Sequence, residues 1–393
     1  MIYFDNAATT APLKEVCEVM NRINFEIYGN TASLHSFGVE AEKLVNITRN
    51  KIAEFIGVDK NTITFTSGGT ESNNLAILGY LSANPRLGKH LITSVAEHPS
   101  VLEVFKYLSS DKSPIKYTTT FIGVDKDGQL DYEQLYSSIC EETALISIMS
   151  VNNETGAMTD HLRIAAVRNM KNPKTVIHSD CVQSFGKIKL NPDYLGIDMF
   201  SASGHKLHGP KGTGFLYVRK GLRLSPILYG GGHEKSLRSG TLNSPAIGAL
   251  SVAIDNCKEN LEKNSRQYVK NIKSELVSRL DIRNNEFFIN GNEEEDSPYI
   301  LNMSFGNVKS EVLLHHLAQR QIYVSSGSAC SSNSRKNSHV LTAMGLENGR
   351  IDSAVRFSFS AKNTCEEAVE VANVIKEIIP IISYVRHIRQ KRS

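Results

Sequence analysis

The sequence lacks the features that would place it in a membrane, outside the cell or on nucleic acid. No stretch approaches the roughly 18 apolar residues that a membrane-spanning helix needs, and no basic segment followed by an apolar run opens the chain. The formal net charge is only +3 over 393 residues, which is too small to argue for nucleic-acid binding. We therefore expect a cytoplasmic protein with neither membrane nor nucleic acid among its partners. The one basic cluster, at 386–392, is typical of a solvated helix end, and a docking patch for an acidic partner is the alternative.

The sequence also lacks paired cysteines. Its six cysteines are scattered without a CxxC pair, so neither a zinc site nor a disulfide framework is expected. Five of them, including Cys181, are expected to pack in the interior. Cys330 differs because the residues at 325–338 are small and polar, as in a surface loop. A thiol placed there is available as a nucleophile.

Short runs rich in apolar and β-branched residues alternate with helical patterns in the first half of the chain. Such alternation predicts an α/β fold in which helices cover a mostly parallel sheet. Ligands of such sheets bind beyond the carboxyl ends of the strands, and the polar motifs described below follow these ends. The predicted strands are 63–67, 90–94, 115–120, 144–151, 175–179, 199–203 and 214–219.

A smaller α+β unit is predicted to follow one long connecting helix at 245–281. We expect a large domain at 13–255 and a small domain at 256–393, with residues 1–12 packing across the junction. The small unit is predicted to hold strands at 286–289, 300–305 and 355–358 and helices at 309–319 and 364–383.

The segment at 66–74, TSGGTESNN, follows a predicted strand and opens a helix. Two glycines permit a tight turn, the first helical turn leaves N–H groups unpaired, and Thr70 adds a hydroxyl. This pattern indicates an anion site suited to phosphate. The alternative is an ordinary turn with a Ser or Thr cap.

Two further strand ends carry groups suited to an aromatic cofactor. Asp180 closes the strand before Gln183, and a carboxylate in that place can keep a pyridine nitrogen protonated; the alternative is that Asp180 caps the next helix. Lys206 follows another strand in SASGHKLHGPKG, where a lysine that bonds a cofactor aldehyde is expected. The alternative for Lys206 is a solvated surface lysine. His205 and His208 lack a third ligand, so a metal site is not expected.

Histidine and asparagine follow the remaining strands. His98, in EHPS, is suited to stack on a planar cofactor and to move protons, and the alternative is an ordinary loop histidine. Asn153, in VNNETG, offers an amide at the same edge of the sheet.

Seven segments together resemble the cysteine desulfurases of the class V aminotransferase family, in that family's order and spacing. They are TSGGTESNN, SVAEH, VNNETG, HSDCVQS, SASGHKLHGPKG, RSGTLN and SSGSACSS. The long polar segment around Cys330 is similar to the NifS/IscS group. Thr31 and Cys181 depart from the pattern, which has proline and a small residue such as alanine at those positions. The resemblance implies fold type I with pyridoxal 5'-phosphate (PLP) as cofactor, and a homodimer.

The resemblance also implies roles for the cofactor site. Lys206 would bond the cofactor, Asp180 would pair with its pyridinium nitrogen, and Gln183 would hydrogen-bond its ring oxygen. His98 would stack on the ring and take part in proton transfer. The phosphate and further cofactor contacts implied are Gly69, Thr70, Asn153, Ser203, His205 and, from the partner subunit, Thr241.

For the substrate, the resemblance implies that Asn153 and Arg356 hold the carboxylate of L-cysteine, with Asn30 bordering the pocket. Cys330 would attack the substrate sulfur, giving L-alanine and a Cys330 persulfide, and His98 is our candidate for deprotonating that thiol. The persulfide would pass to an acceptor protein, and iron–sulfur cluster assembly is the pathway expected. In that case Cys330 would ligate a cluster transiently with a scaffold partner, and no metal site of the chain's own is expected. The alternatives are sulfur donation for tRNA thiolation or DNA phosphorothioation, or another activity of the family such as selenocysteine lyase or aminotransferase.

Overall fold

A computed structural model describes residues 1–280, 287–306, 308–326 and 337–390, with side chains to residue 383 in the last helix. The helices of these ranges are α1 Lys14–Glu26, α2 Ser36–Ile56, α3 Gly69–Ala83, α4 Pro99–Ser109, α5 Tyr132–Ser138, α6 His161–Lys171, α7 Pro192–Leu195, α8 Ser244–Glu262, α9 Ser265–Arg279, α10 Ser310–Gln319, α11 His339–Ala343, α12 Asn348–Asp352 and α13 Cys365–Gln390. The strands are β1 Ile2–Tyr3, β2 Ile63–Thr66, β3 His90–Ser94, β4 Thr118–Ile122, β5 Thr143–Ser147, β6 Val176–Asp180, β7 Met199–Ser203, β8 Gly214–Val218, β9 Phe287–Ile289, β10 Ile300–Phe305, β11 Ile322–Tyr323, β12 Ser325–Ser326 and β13 Ala354–Ser358.

Seven strands form the large sheet, in the order β2-β8-β7-β6-β5-β3-β4. The pairs among β7, β6, β5, β3 and β4 are parallel, and β8 is antiparallel to both neighbours. Strands β2, β5, β6 and β7 are buried at every residue, as expected for a sheet covered on both faces. The predicted α/β fold with a mostly parallel mixed sheet is confirmed. Since β2 runs in the same direction as β7, its carboxyl end lies at the same edge as those of the parallel strands.

The strand predicted at 115–120 begins later than the sequence indicates. β4 pairs with β3 from Thr118, which lies opposite His90, and it continues to Ile122. Its position is therefore set by pairing with β3, because residues 115 and 116 are exposed before that pairing begins.

The single connecting helix predicted at 245–281 is wrong. The structure has two helices, α8 and α9, separated by Lys263 and Asn264. Asn264 adopts the left-handed conformation with φ of 53°, which asparagine tolerates better than most residues. The apolar periodicity continues through the break, so the sequence pattern did not reveal it.

The small sheet is antiparallel, in the order β12-β13-β10-β9. It packs with α9, α10 and α13 around one apolar cluster, which also includes Ile2 and Phe4 near the start of the chain. Cys257 still belongs to the apolar cluster of the large sheet, whereas Val269 belongs to that of the small one. Residue 255 lies inside α8, and the division into domains at that residue stays a prediction.

Residues 2–10 link the two sheets. β1 pairs in parallel with β11, and Asp5 forms a bridge with Ser358 of β13. Thr10 donates its N–H to the carbonyl of His205, beyond the end of β7. Among the described residues, none of the helices combines the length and the apolarity required to span a membrane.

Candidate active site

A cavity of about 330 Å³ lies at the carboxyl edge of the large sheet and reaches β13 of the small sheet. Because the carboxyl ends of parallel strands meet at one edge, residues far apart in the sequence converge there. The predicted site residues that line it are Gly69, Thr70, His98, Asn153, Asp180, Gln183, Ser203, His205, Lys206 and Arg356.

Three predicted site residues are not among the residues that line this cavity. Asn30 and Thr241 are exposed on this chain, and the Asn30 side chain accepts a hydrogen bond from the Ala32 N–H. Cys330 lies outside the described residues. The roles of these three residues stay predictions.

Asp180 ends β6 with its carboxylate in the cavity wall, and the residue is 6% exposed. Its Oδ2 accepts a hydrogen bond from Asn73 Nδ2 at 2.7 Å, and its Oδ1 accepts from the Val182 N–H at 2.9 Å. The Asn73 bond reaches from α3 across to β6, so the carboxylate is oriented by groups outside its own strand. A fixed carboxylate of this kind is suited to a protonated ring nitrogen.

Gln183 is oriented from both ends of its amide. Its Nε2 donates to the carbonyl of Ala7 at 2.9 Å, and its Oε1 accepts from Lys187 Nζ at 3.2 Å. With the oxygen occupied, the amide can offer the cavity its second N–H as a donor. Burial, reinforced by the charges of Lys206 and Arg356, lowers the pKa of Lys187 to about 7.

Lys206 ends a short 3-10 turn after β7. Its Nζ donates to the carbonyls of Ala7 and Ala8, the second at 2.6 Å. The N-terminal segment therefore positions the amine at the cavity wall.

The turn between β2 and α3 forms a cradle with room for an anion. Gly68 has φ of 154°, a conformation that favours glycine. A Cβ at Gly69 would lie 2.6 Å from Val182 Cγ2, so any larger residue here would push against the Val182 side chain. Gly69 and Thr70, in the first turn of α3, line the cavity, and the first N–H groups of a helix have no partner within the helix, as at other anion sites of helix N-termini.

An ion pair between Glu71 and Arg238 stabilises this turn. Glu71 accepts the Ser67 N–H at 2.8 Å and pairs with Arg238 Nε at 2.7 Å. Burial raises the pKa of Glu71, but the hydrogen bonds from Arg238 and Ser67 outweigh burial and lower that pKa overall. Arg238 belongs to the segment RSGTLN, so the cradle and that segment are tied together.

His98 caps the N-terminus of α4, where its Nδ1 accepts the Ser100 N–H at 3.2 Å. The Ser100 Oγ lies 2.8 Å from the same nitrogen. Burial is the largest influence on the pKa of His98 and lowers it, Asp180 opposes this shift, and the charges of Lys206 and His339 add to it.

His205 is the second histidine of the cavity. Its Nδ1 lies 3.1 Å from Thr9 Oγ1. Burial, together with the charges of Lys206, Lys211 and Lys187, lowers its pKa to about 4. A neutral imidazole at this place binds an anion through an N–H rather than through a charge.

Arg356, on β13, brings a guanidinium from the small sheet to the cavity and is 3% exposed. It donates to the carbonyl of Asn153 at 2.8 Å and pairs with Asp5 at 3.0 Å. Burial raises the pKa of Asp5 overall, and the charge of Arg356 offsets only part of this shift. Among the described residues, Arg356 Nε is buried without a hydrogen-bond partner, and the side chain of Arg356 forms part of the cavity wall.

The arrangement fits pyridoxal phosphate. An oriented carboxylate, an amide donor, an amine and an anion cradle that a Cβ would fill line one cavity. Sequence reasoning missed Asn73 and Ser100, although both stand inside motifs it had singled out. It also missed the carbonyls of Ala7 and Ala8, which carry no side-chain signal.

Comparison with known proteins places the chain in a family. Residues 2–371 match the family model described as aminotransferase class-V. The chain is 37% identical to the cysteine desulfurase IscS of Methanosarcina thermophila over 378 residues, which are 96% of this chain and 92% of that protein.

Two solved structures are similar over nearly the whole chain. One, described as a NifS-like protein, has a TM-score of 0.88 at 36% identity, and the match covers 98% of this chain and 99% of that one. Another, described as SspA in complex with cysteine, has a TM-score of 0.77 at 32% identity, with 91% and 99% covered. The match over residues 2–371 shows that the chain belongs to the aminotransferase class-V family.

Proposed function

We propose that this protein is a pyridoxal-phosphate-dependent cysteine desulfurase, which converts L-cysteine to L-alanine and keeps the sulfur as a persulfide. The observation that carries the proposal is the convergence of Lys206, Asp180 and the α3 cradle in one cavity. Relatives named cysteine desulfurase that are 37–38% identical over most of the chain support it, and members of the family are PLP-dependent. When bound, the cofactor supplies an electron sink for the bonds that break at the substrate.

The polar groups of the cavity divide into those for the ring and those for the phosphate. Lys206 would bond the cofactor, Asp180 would pair with the ring nitrogen, and Gln183 would donate to the ring oxygen. His98 would stack on the ring. The phosphate contacts proposed are Gly69, Thr70, Ser203 and His205, with Asn153 as a further contact and Thr241 contributed by a second subunit.

Arg356 is the proposed anchor for the substrate carboxylate. Its guanidinium is already oriented by Asp5 and the carbonyl of Asn153, which reduces the ordering that binding requires. A bidentate pair with a carboxylate suits an arginine held in this way. The amide of Asn153 would contribute to the same subsite, and Asn30 would border it.

Cys330 is the proposed acceptor of the sulfur, although it lies outside the described residues. Its thiolate would bond to the sulfur of L-cysteine while the bond from that sulfur to Cβ breaks. A proton then completes the methyl group of alanine, and Cys330 is left as a persulfide. The overall change adds one sulfur to the enzyme thiol and removes it from the substrate.

A homodimer is proposed because the chain presents apolar side chains near α1 and α2. Phe25 is 80% exposed and Leu34 is 98% exposed, while the rings of Tyr28 and Phe37 lie 5.6 Å apart. A surface of this kind marks an interaction site in a globular protein. Thr241 is exposed as well, as a contact to the other subunit requires.

The sulfur acceptor is proposed to be a protein of iron–sulfur cluster assembly, with a transient cluster at Cys330 and the scaffold. Donation to tRNA thiolation or DNA phosphorothioation, and selenocysteine lyase activity, are the alternatives. Persulfide sulfur labelled from L-cysteine, followed into candidate acceptors, separates these pathways.

The test of the reaction compares Lys206→Ala and Cys330→Ala with the unchanged enzyme. We expect Lys206→Ala to lose the visible absorption of the lysine-bound cofactor and the release of alanine. Cys330→Ala should keep that absorption but form no persulfide. A Cys330→Ala variant with full sulfur transfer would refute the proposed acceptor. If the unchanged protein showed no such visible absorption after incubation with pyridoxal phosphate, the cofactor assignment would be refuted.

A further inference from the structure

A chain of hydrogen bonds runs from Asp180 to His98 through two residues that have no role in the proposed function. Asn73, on α3, is fully buried, and Ser100, in the first turn of α4, is 9% exposed. Asn73 Nδ2 lies 2.7 Å from Asp180 Oδ2 and 2.8 Å from Ser100 Oγ. Ser100 Oγ lies 2.8 Å from His98 Nδ1. Asp180, Asn73, Ser100 and His98 are therefore connected by successive hydrogen-bond contacts.

The direction of these bonds follows from the chemistry of their ends. An ionised carboxylate only accepts hydrogen bonds, so the Asn73 atom facing Asp180 has to be the amide nitrogen. That nitrogen uses its two hydrogens on Asp180 and Ser100. Ser100 Oγ is then an acceptor toward Asn73, and its own hydrogen is directed to His98 Nδ1.

A second donor reaches the same nitrogen of His98. The Ser100 backbone N–H points to Nδ1 at 3.2 Å, and a backbone N–H can only donate. A hydrogen on Nδ1 would face this N–H directly. Two donors on Nδ1 leave it as the unprotonated nitrogen of the ring.

We propose that Ser100, oriented by Asn73, is a positioning residue that fixes His98 as the tautomer with its hydrogen on Nε2. His98 then meets the cavity as a hydrogen-bond donor. The charged and titratable groups acting on it are Asp180, Lys206 and His339, and burial adds to the preference for the neutral ring.

The consequence for sulfur transfer rests on the proposed function. As a donor, His98 can supply a hydrogen bond or a proton to a substrate atom in the cavity. It cannot take the proton of an incoming thiol at Nε2 while Nε2 carries its own hydrogen. The role of base toward Cys330, suggested by the sequence, is therefore disfavoured for the resting tautomer.

Nuclear magnetic resonance of the ring nitrogens tests the tautomer directly. Histidine labelled with nitrogen-15 is incorporated into the holoprotein and into the protein stripped of cofactor, and His98→Gln identifies the His98 signals. We expect Nδ1 to show the shift of an unprotonated nitrogen near neutral pH in both forms. A hydrogen-bearing Nδ1 overturns the proposal.

Variants test whether Ser100 sets that state. In Ser100→Ala we expect a population with hydrogen on Nδ1 and a rise in the His98 pKa of about half to one unit, the size of one lost hydrogen bond to the neutral ring. Ser100→Thr keeps the hydroxyl and should restore both values. Ser109→Ala is the matched control on the same helix, because its hydroxyl contacts Phe105 and Thr119 instead.

The outcomes separate this proposal from the proposed function. If Ser100→Ala leaves the tautomer and the His98 pKa unchanged, the positioning role is refuted, whatever the enzyme does with L-cysteine. If the unchanged protein releases no alanine, the proposed function fails, while the resonance result still decides the tautomer.

Discussion

Replacement of Lys187 by methionine should raise the stability of the protein while impairing its site. Burial lowers the pKa of Lys187 from 10.5 to about 7, so at neutral pH the folded state disfavours a charge that the unfolded chain carries freely. Lys187→Met removes that charge and keeps nearly the same volume. The same change deletes the donor to Gln183 Oε1, which frees the amide to turn.

The magnitude follows from the shift. A change of about 3.5 pKa units corresponds to at most about 5 kcal/mol, at about 1.4 kcal/mol per unit. Between pH 7 and 10.5 the unfolded chain binds more protons at Lys187 than the folded protein does. The free energy of unfolding of the unchanged protein should therefore rise with pH across this window, and this contribution should be absent from Lys187→Met.

Denaturant unfolding of the protein stripped of cofactor, at pH 7 and at pH 10, measures both effects. We expect Lys187→Met to have the higher midpoint at pH 7, with the gap narrowing at pH 10. Lys263→Met, at an exposed lysine paired with Glu259, is the control and should change neither value by much. The reasoning would be refuted if the difference in unfolding midpoint between Lys187→Met and the unchanged protein were the same at both pH values.

Two further predictions concern the cradle and the buried histidines. Gly69→Ala should weaken cofactor binding by about tenfold or more in a fluorescence titration, because its Cβ would lie 2.6 Å from Val182 Cγ2 and overpacking costs roughly 1–3 kcal/mol. Gly69→Ala combined with Val182→Ala should recover much of the affinity. Equal binding by Gly69→Ala and the unchanged protein would contradict this steric explanation. Burial lowers the pKa of His161 to about 4 and that of His178 to about 3, so the unfolded chain takes up their protons first as the pH falls below 6.5. Each histidine should remove about 1.4 kcal/mol of stability per pH unit from there to pH 4, and His178→Gln should show a shallower loss in the same unfolding assay.

The fold was predictable because its signal is local. Most strands of the large sheet lie in short runs rich in apolar or β-branched residues, and helical patterns separate these runs. The break between α8 and α9 was not predictable from periodicity, because one asparagine in the left-handed conformation interrupts a pattern that continues on both sides. The start of β4 depends on its pairing with β3, which no local pattern encodes.

The convergence of the site residues could also be anticipated, because strand ends of a parallel sheet share an edge. Which of these residues contact one another could not be anticipated. Asn73 and Asp180 are 107 positions apart, and their contact depends on how α3 packs beside β6. The carbonyls that hold Lys206 come from Ala7 and Ala8, two residues whose side chains give no hint of a polar role.

The N-terminal segment gives the site a mechanical property. Residues 2–10 pair with β11, bridge to β13 and supply the acceptors for Lys206 and Gln183. A displacement of the small sheet would move the same backbone segment that holds the Lys206 amine. Lys206 and Arg356 both contact this segment, through Ala8 and Asp5. Shortening the segment would therefore weaken the positioning of both side chains at once.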